Sequence, residues 1–231
     1  MARLKSQMRR VLLGAVAAVA LLCALPAAAQ TPRAAAPAAA NDARRLFIGA
    51  IGGVGAVQKV GGVLGGELGI KVTDTVDIFG EGVWMQDVVT RRRLDRAASL
   101  ATYLERSQGR AASSTITAPA FYAGAGARLL FKTAGRIRPY FVAGGGMVRV
   151  TLQPVVTLAG SDITSNLPQY GVTLGSDLTG DITKPAFTGG FGVMMPQTRS
   201  YVDIGFHVTS IQTAGQVTNA VSARAAVGVR F

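Results

Sequence analysis

Cysteine and histidine are almost missing from this chain, one of each in 231 residues. That excludes a Cys/His zinc site and a disulfide scaffold. Charge is sparse too, at 16% of residues, and the acids are the scarcer sign: 12 Asp+Glu against 24 Lys+Arg, a formal net charge of +12. Past Gln30 no uncharged apolar run approaches the ~20 residues a membrane-crossing helix needs, which excludes helical spans there. There is no G-x-S-x-G nucleophile elbow, no Walker A loop and no complete G-x-G-x-x-G. Hydrolase, P-loop and dinucleotide readings therefore have no motif behind them. Glycine, by contrast, is abundant at 29 of 231 residues, well above the ordinary ~7%. Mean hydropathy is positive at +0.33. A charge of +12 on so few ionised residues points first to nucleic acid or an anionic membrane surface.

The N-terminus redistributes that charge. Arg3, Lys5, Arg9 and Arg10 precede the apolar run Val11–Leu25, Pro26 breaks it, and Ala27-Ala28-Ala29 stands before Gln30. A basic region, a short apolar region and small residues ahead of a cut describe a secretory signal peptide, residues 1–29, cleaved after Ala29. Leu22 directly before Cys23 argues against a lipoprotein signal. The only cysteine then leaves with the signal, and the charge falls to +8. Residues 30–43 are Ala/Pro-rich and aperiodic, and read as a disordered periplasmic spacer. The folded domain is expected over 44–231.

Within that domain the recurring pattern is alternation with period two, the mark of strands with two unlike faces. At the C-terminus Val221, Ala223, Ala225, Val227, Val229 and Phe231 share one parity, while Ser222, Arg224 and Arg230 fall on the other. Val202, Ile204, Phe206 and Val208 oppose Tyr201, Asp203, His207 and Thr209. Val142, Val148, Val150 and Leu152 oppose Arg149 and Thr151; Ala123, Ala125, Ala127, Leu129 and Phe131 oppose Tyr122, Arg128 and Lys132. Val76, Ile78 and Trp84 oppose Asp77 and Glu81, and Leu64, Leu68, Ile70 and Val72 oppose Glu67 and Lys71. Phe187–Met195 is a weaker strand with glycine on both faces, and Leu46–Val57 is a strand whose parity stays open. Eight strands of roughly ten residues have the length that a tilted strand needs to cross a bilayer. The links after the second, fourth and sixth strands are tight, whereas Thr90–Thr115 and Pro154–Pro185 are very long. Short turns at one rim and long loops at the other describe an all-β, eight-stranded antiparallel up-and-down transmembrane barrel. Taking the apolar parity as lipid-facing, Phe131, Tyr140 and Phe231 fall near the short-turn rim, and Trp84, Phe121 and Phe187 toward the other. Those are the two interfacial aromatic belts.

With the signal, Gly/aromatic segments such as Arg138-Pro139-Tyr140-Phe141-Val142-Ala143-Gly144-Gly145-Gly146, and the ending Ala225-Ala226-Val227-Gly228-Val229-Arg230-Phe231, the chain resembles the small bacterial outer-membrane β-barrels of the OmpA/OmpX-like type. The resemblance covers about 44–231 at the level of pattern and implies an outer-membrane location in Gram-negative bacteria. It also implies that Val227, Val229 and Phe231 form the signal read by the barrel-assembly machinery. Some eight-stranded barrels are lipid A deacylases with a His and a Ser two apart on one strand face. Here His207 is followed by Thr209, and Ser210 lies on the opposite face, so His207 reads as a lumen residue.

The inward parity carries both signs: Glu67, Asp77, Glu81 and Asp203 against Lys71, Arg128, Arg149 and Arg224. An eight-stranded barrel is just wide enough for side chains to fill, and buried charges need partners. These residues are expected to form a salt-bridged lumen network. Thr90–Thr115 holds Arg91, Arg92, Arg93, Arg96, Arg106 and Arg110 against Asp95 and Glu105, with Leu94, Ala97, Ala98, Ala101 and Leu104 at helical spacing. An amphipathic helix is expected, with Arg91, Arg92, Arg93 and Arg96 placed to pair with lipopolysaccharide phosphates. Pro154–Pro185, polar with net charge −2, reads as a mobile surface loop. The protein is read as a monomeric, cofactor-free, non-enzymatic structural or surface-interaction protein of the envelope. Its partners are outer-membrane lipids and lipopolysaccharide, not nucleic acid. A narrow passive pore and a lipid-modifying envelope enzyme are the alternatives.

Overall fold

A computed structural model describes residues 45–213 and 216–231. The signal-peptide and spacer readings of 1–43 lie outside the described residues. The strands are β1 (Leu46–Ala56), β2 (Val60–Lys71), β3 (Val76–Met85), β4 (Ala112–Thr117), β5 (Ala120–Leu130), β6 (Arg138–Leu158), β7 (Ser161–Asp162), β8 (Gly180–Pro196), β9 (Ser200–Thr213) and β10 (Gln216–Arg230). Among the described residues one α-helix, α1 (Arg91–Gln108), links β3 to β4, and a 3-10 helix, Thr164–Tyr170, follows β7.

Eight of these strands close a ring. Each of β1, β2, β3, β5, β6, β8, β9 and β10 pairs antiparallel with the next, and β6 pairs β8. The ring shuts where β1 meets β10, with Ile48 opposite Val229 and Gly53 opposite Arg224. Closure leaves no sheet edge inside the wall, the condition for a sheet to cross a bilayer. Both chain ends of the barrel reach the short-turn rim, where the Phe231 amide donates to the Leu46 carbonyl at 2.9 Å.

The faces are inverted relative to a water-soluble barrel. Leu64, Leu68, Ile78, Phe121, Phe141, Phe191, Phe206 and Val227 stand on the outer surface, and Leu68 is 64% exposed. Glu67, Asp77, Glu81, Arg128, Asp203, His207 and Arg224 are buried inside. A continuous apolar exterior of this kind is stable only against lipid. The chain is thus a transmembrane β-barrel. No helix among the described residues is long and apolar enough to cross a membrane.

On β1 the parity is now settled: Phe47 and Ile51 are buried inside, while Leu46 and Ile48 are exposed outside. On β6 the parity is the reverse of the sequence expectation. Tyr140, Val142, Val148, Val150 and Leu152 face inward and are buried; Phe141 and Met147 face lipid. Both faces of β6 are apolar, because the lumen itself is apolar at both ends, so period-two hydrophobicity could not orient this strand. Tyr140 therefore leaves the short-turn aromatic belt, and Phe141, stacked edge-on against Phe131 with ring centroids 5.7 Å apart, takes its place.

Above the ring, the outer end of β6 continues past its barrel partners and pairs with β4, from Thr117 opposite Gln153 to Ala112 opposite Leu158, and with β7. Helix α1 packs on this extension. It is stopped by Gly109, which takes the left-handed conformation (φ 64°) and donates its amide to the Glu105 carbonyl, a turn that disfavours any side chain. Leu104 of α1 is buried with Val156, Leu158, Ile163, Leu167 and Val172. The segment 154–185 is thus ordered around a small apolar core of its own rather than forming a structureless loop. Its apolar residues lie at irregular spacing and find their partner on α1, which no local pattern displays.

Candidate functional site

The barrel interior is layered. At the short-turn end Phe47, Phe79, Leu130, Tyr140, Val142, Met194 and Tyr201 form an apolar cluster. Toward the loops a second cluster includes Ile51, Val63, Val83, Met85, Tyr122, Val148 and Val150, continued by Val88, Val89 and Ala97 where α1 begins. Between them lies the polar layer.

Two arginines organise it. Arg128 on β5 donates from Nη2 to Glu67 Oε2 on β2 at 2.8 Å, and the same nitrogen stands 3.6 Å from Asp203 Oδ2 on β9. Its guanidinium lies 5.0 Å from the Tyr140 ring centroid and 5.3 Å from that of Phe79, so its faces are covered by aromatic quadrupoles while its edge meets carboxylates. Two phenols complete the ligation: Tyr201 donates to Glu67 Oε1 and Tyr140 to Asp203 Oδ1, each at 2.7 Å. The second arginine, Arg224 on β10, donates to Glu81 Oε2 on β3 at 3.1 Å and to Ser222 Oγ at 2.9 Å.

The glycines of the wall make room for the tyrosines. Gly228 is opposite both Tyr201 and Gly49, and a Cβ on either glycine would overlap the Tyr201 ring. Tyr140 lies in the same way over Gly192 and Gly205. Each ring lies flat in a glycine slot, which aims its hydroxyl across the lumen at a carboxylate.

Of the other residues expected in the lumen network, Asp77 is buried, opposite Arg128 on the neighbouring strand. Lys71 sits at the short-turn rim and pairs with Asp74 of the β2–β3 turn at 2.6 Å. Arg149 is not in the lumen. It lies on the outer face of β6, 65% exposed, and pairs with Asp181 of β8. Its misplacement follows from the inverted parity of β6. His207 is buried beside Arg224, Glu81 and Asp203 around a cavity of about 10 Å³, room for about one water. Tyr201 and Ser222 fall on the inward parity in the sequence, but their partners, and the inward place of Tyr140, come only from the register.

No protein-family model and no curated protein matches the chain. Solved structures do. Neisserial surface protein A aligns at a TM-score of 0.50 with 14% identity, over 81% of this chain and 97% of that one. The fold is that of the small eight-stranded outer-membrane barrels. The N-terminal β-barrel domain of Pseudomonas aeruginosa OprF also aligns (TM-score 0.47, 16% identity, 80% of this chain and 96% of that one), as does Ail of Yersinia pestis (TM-score 0.43, 11% identity, 81% and 97%).

At the loop-side mouth of the barrel, α1 brings its arginines together. Arg91 and Arg92 are exposed, and Arg91 donates to Asp95 one turn on at 3.2 Å. Arg96 is tied to Asp177, in the segment before β8. Arg93 is half-buried, and burial, with the charge of Arg96 beside it, pulls its guanidinium pKa below the ordinary value. Arg92, Arg93 and Arg96 border a cavity of about 140 Å³ together with Lys184 of β8. Val227 and Val229 stand on the outer face of β10 at the short-turn rim, with Phe231 directly after the strand, all three exposed.

Proposed function

We propose that this chain is a non-enzymatic protein of the bacterial outer membrane whose lumen is closed by its own side chains and whose work is done by the cap at its loop-side mouth. The observation that carries the closed lumen is the Arg128–Glu67–Asp203 cluster with its two tyrosines, built from β2, β5, β6 and β9. Ligands from four strands meet at one level, with apolar layers on both sides. The cavity left beside it, about 10 Å³, is too small for a hydrated ion to pass. Both charges of each pair are desolvated together, which tolerates burial only while the partner stays. The same enclosure argues against catalysis by His207: it is 7% exposed and hemmed in by the wall.

On this reading the signal peptide exports the chain, the assembly machinery engages Val227, Val229 and Phe231, and the barrel works as a monomer with α1 toward the lipopolysaccharide. The exposed Arg91 and Arg92 are available to its phosphates. Planar-bilayer recording tests the closed lumen. The unmodified protein is expected to give no discrete conductance, and the double variant Glu67→Ala/Arg128→Ala to give one. A discrete conductance from the unmodified protein that Ala226→Phe abolishes would overturn it, since Ala226 borders the lumen cavity.

A further inference from the structure

We propose that the cavity at the loop-side mouth is a binding pocket for a tetrahedral oxyanion, a phosphate group above all. It encloses about 140 Å³ and is bordered by Thr90, Arg92, Arg93, Arg96, Asp177 and Lys184. That is several water volumes at roughly 30 Å³ each, enough for one phosphate group and too little for a polymer backbone. Four cations face one carboxylate, which leaves three positive charges in excess.

Among the described residues, three of the four cations have no carboxylate partner. Among the described residues Arg92, Arg93 and Lys184 make no salt bridge. Asp177 is committed to Arg96 and fixes that guanidinium at the cavity wall. Arg93 is half-buried next to a second guanidinium, an arrangement that costs free energy until a counter-charge enters. The backbone adds to the same field. The 18-residue α1 has no acidic residue in its first turn, and Thr90 makes no side-chain capping bond. The positive end of the helix dipole thus meets the pocket without an internal anion. Planar guanidiniums and an ammonium converging from a helix and a strand supply donors in several directions, which suits an oxygen tetrahedron better than a planar carboxylate.

The ligand can be free phosphate or the phosphate of a lipid headgroup, and only that choice of source rests on the surface-contact reading above. The test uses the full chain folded in an uncharged maltoside detergent, with folding checked by heat-modifiable gel mobility. Inorganic phosphate is titrated calorimetrically. Saturable one-to-one binding is expected. It should weaken at least tenfold in Arg93→Gln/Lys184→Gln and remain unchanged in Arg91→Gln, whose guanidinium lies outside the pocket and already pairs with Asp95. Lack of saturable phosphate binding, or an equal loss in Arg91→Gln, overturns the pocket. In nanodiscs, lipid A that competes with inorganic phosphate where its dephosphorylated form does not identifies the headgroup as the source; phosphate binding without competition identifies free phosphate. Lipopolysaccharide co-purification is measured in parallel. If it is lost in Arg91→Ser while phosphate binding persists, the surface contact and the pocket are separate; if it is lost there and the unmodified chain shows no saturable phosphate binding, the pocket alone falls.

Discussion

The lumen and the cap handle charge in opposite ways. Inside the wall Arg128 is 3% exposed, and each arginine is matched to a carboxylate on another strand. At the mouth, Arg92 and Lys184 have no carboxylate partner among the described residues. The difference follows from solvation. In the lumen there is room for little water to stabilise an unmatched charge, so each buried arginine there needs a carboxylate from the chain. At the mouth water screens the excess, and a net positive field can be kept for an external anion. Cutting one cation from each region measures the contrast. Arg128→Met strands Glu67 and Asp203 in the interior and is expected to lower unfolding stability by about 3–5 kcal/mol. Arg92→Gln should stay within about 0.5 kcal/mol. Urea unfolding in lipid vesicles, followed by the fluorescence of Trp84, reads both. Equal effects would mean that the lumen pairs are as well solvated as the surface.

The phenols sharpen the lumen side. Tyr201→Phe removes the donor to Glu67 and leaves a buried carboxylate oxygen unpaired, at a cost of about 1–3 kcal/mol. In a Glu67→Gln background the same change should cost less, because the charged acceptor is gone, with a coupling of about 0.5–3 kcal/mol. Tyr140→Phe, whose partner is Asp203, should show a smaller coupling to Glu67→Gln. If the two tyrosines couple to Glu67 equally, they do not serve separate carboxylates and the layer acts as one undivided network.

How much of this was open to a reader of the sequence differs by region for the same physical reason. In the wall, one-residue alternation is a local signal, so the eight strands and the inward places of Glu67, Asp77, Glu81, Arg128, Asp203 and Arg224 could be read directly. It failed on β6, where Val142 and Val148 fill an apolar lumen and Phe141 and Met147 meet lipid: hydrophobicity on both faces carries no orientation. The Tyr201 slot was invisible because Gly49, Gly228 and Glu67 are brought to it only by strand register across the closed ring. In the cap, α1 was legible from its 3.6-residue periodicity. Its apolar partners Val156, Ile163 and Leu167, and Lys184 at the cavity beside it, were not, since they reach α1 from distant sequence with no repeating pattern.

The smallest effect tests whether the cap is held by local bonds of its own. Asp162 Oδ1 accepts from the Thr164 hydroxyl at 2.6 Å and from the Thr164 amide at 2.8 Å, and these bonds hold its carboxyl below the usual aspartate range. Because the folded value is depressed, the stabilisation is fully present above the unfolded aspartate pKa of about 3.9 and is lost as pH falls through the lower folded value. Asp162 is exposed, so water screens the interaction and global stability should hardly register its loss. Carboxyl-carbon NMR titration resolves it instead. Thr164→Val removes the hydroxyl and is expected to move the Asp162 midpoint upward, toward the ordinary value, whereas Arg128→Lys in the lumen leaves it in place. A midpoint that Thr164→Val does not shift would show that the turn after β7 draws its order from the buried Ile163 and Leu167 alone, and that hydrogen bonding in the cap, unlike that in the lumen, selects a conformation without stabilising it.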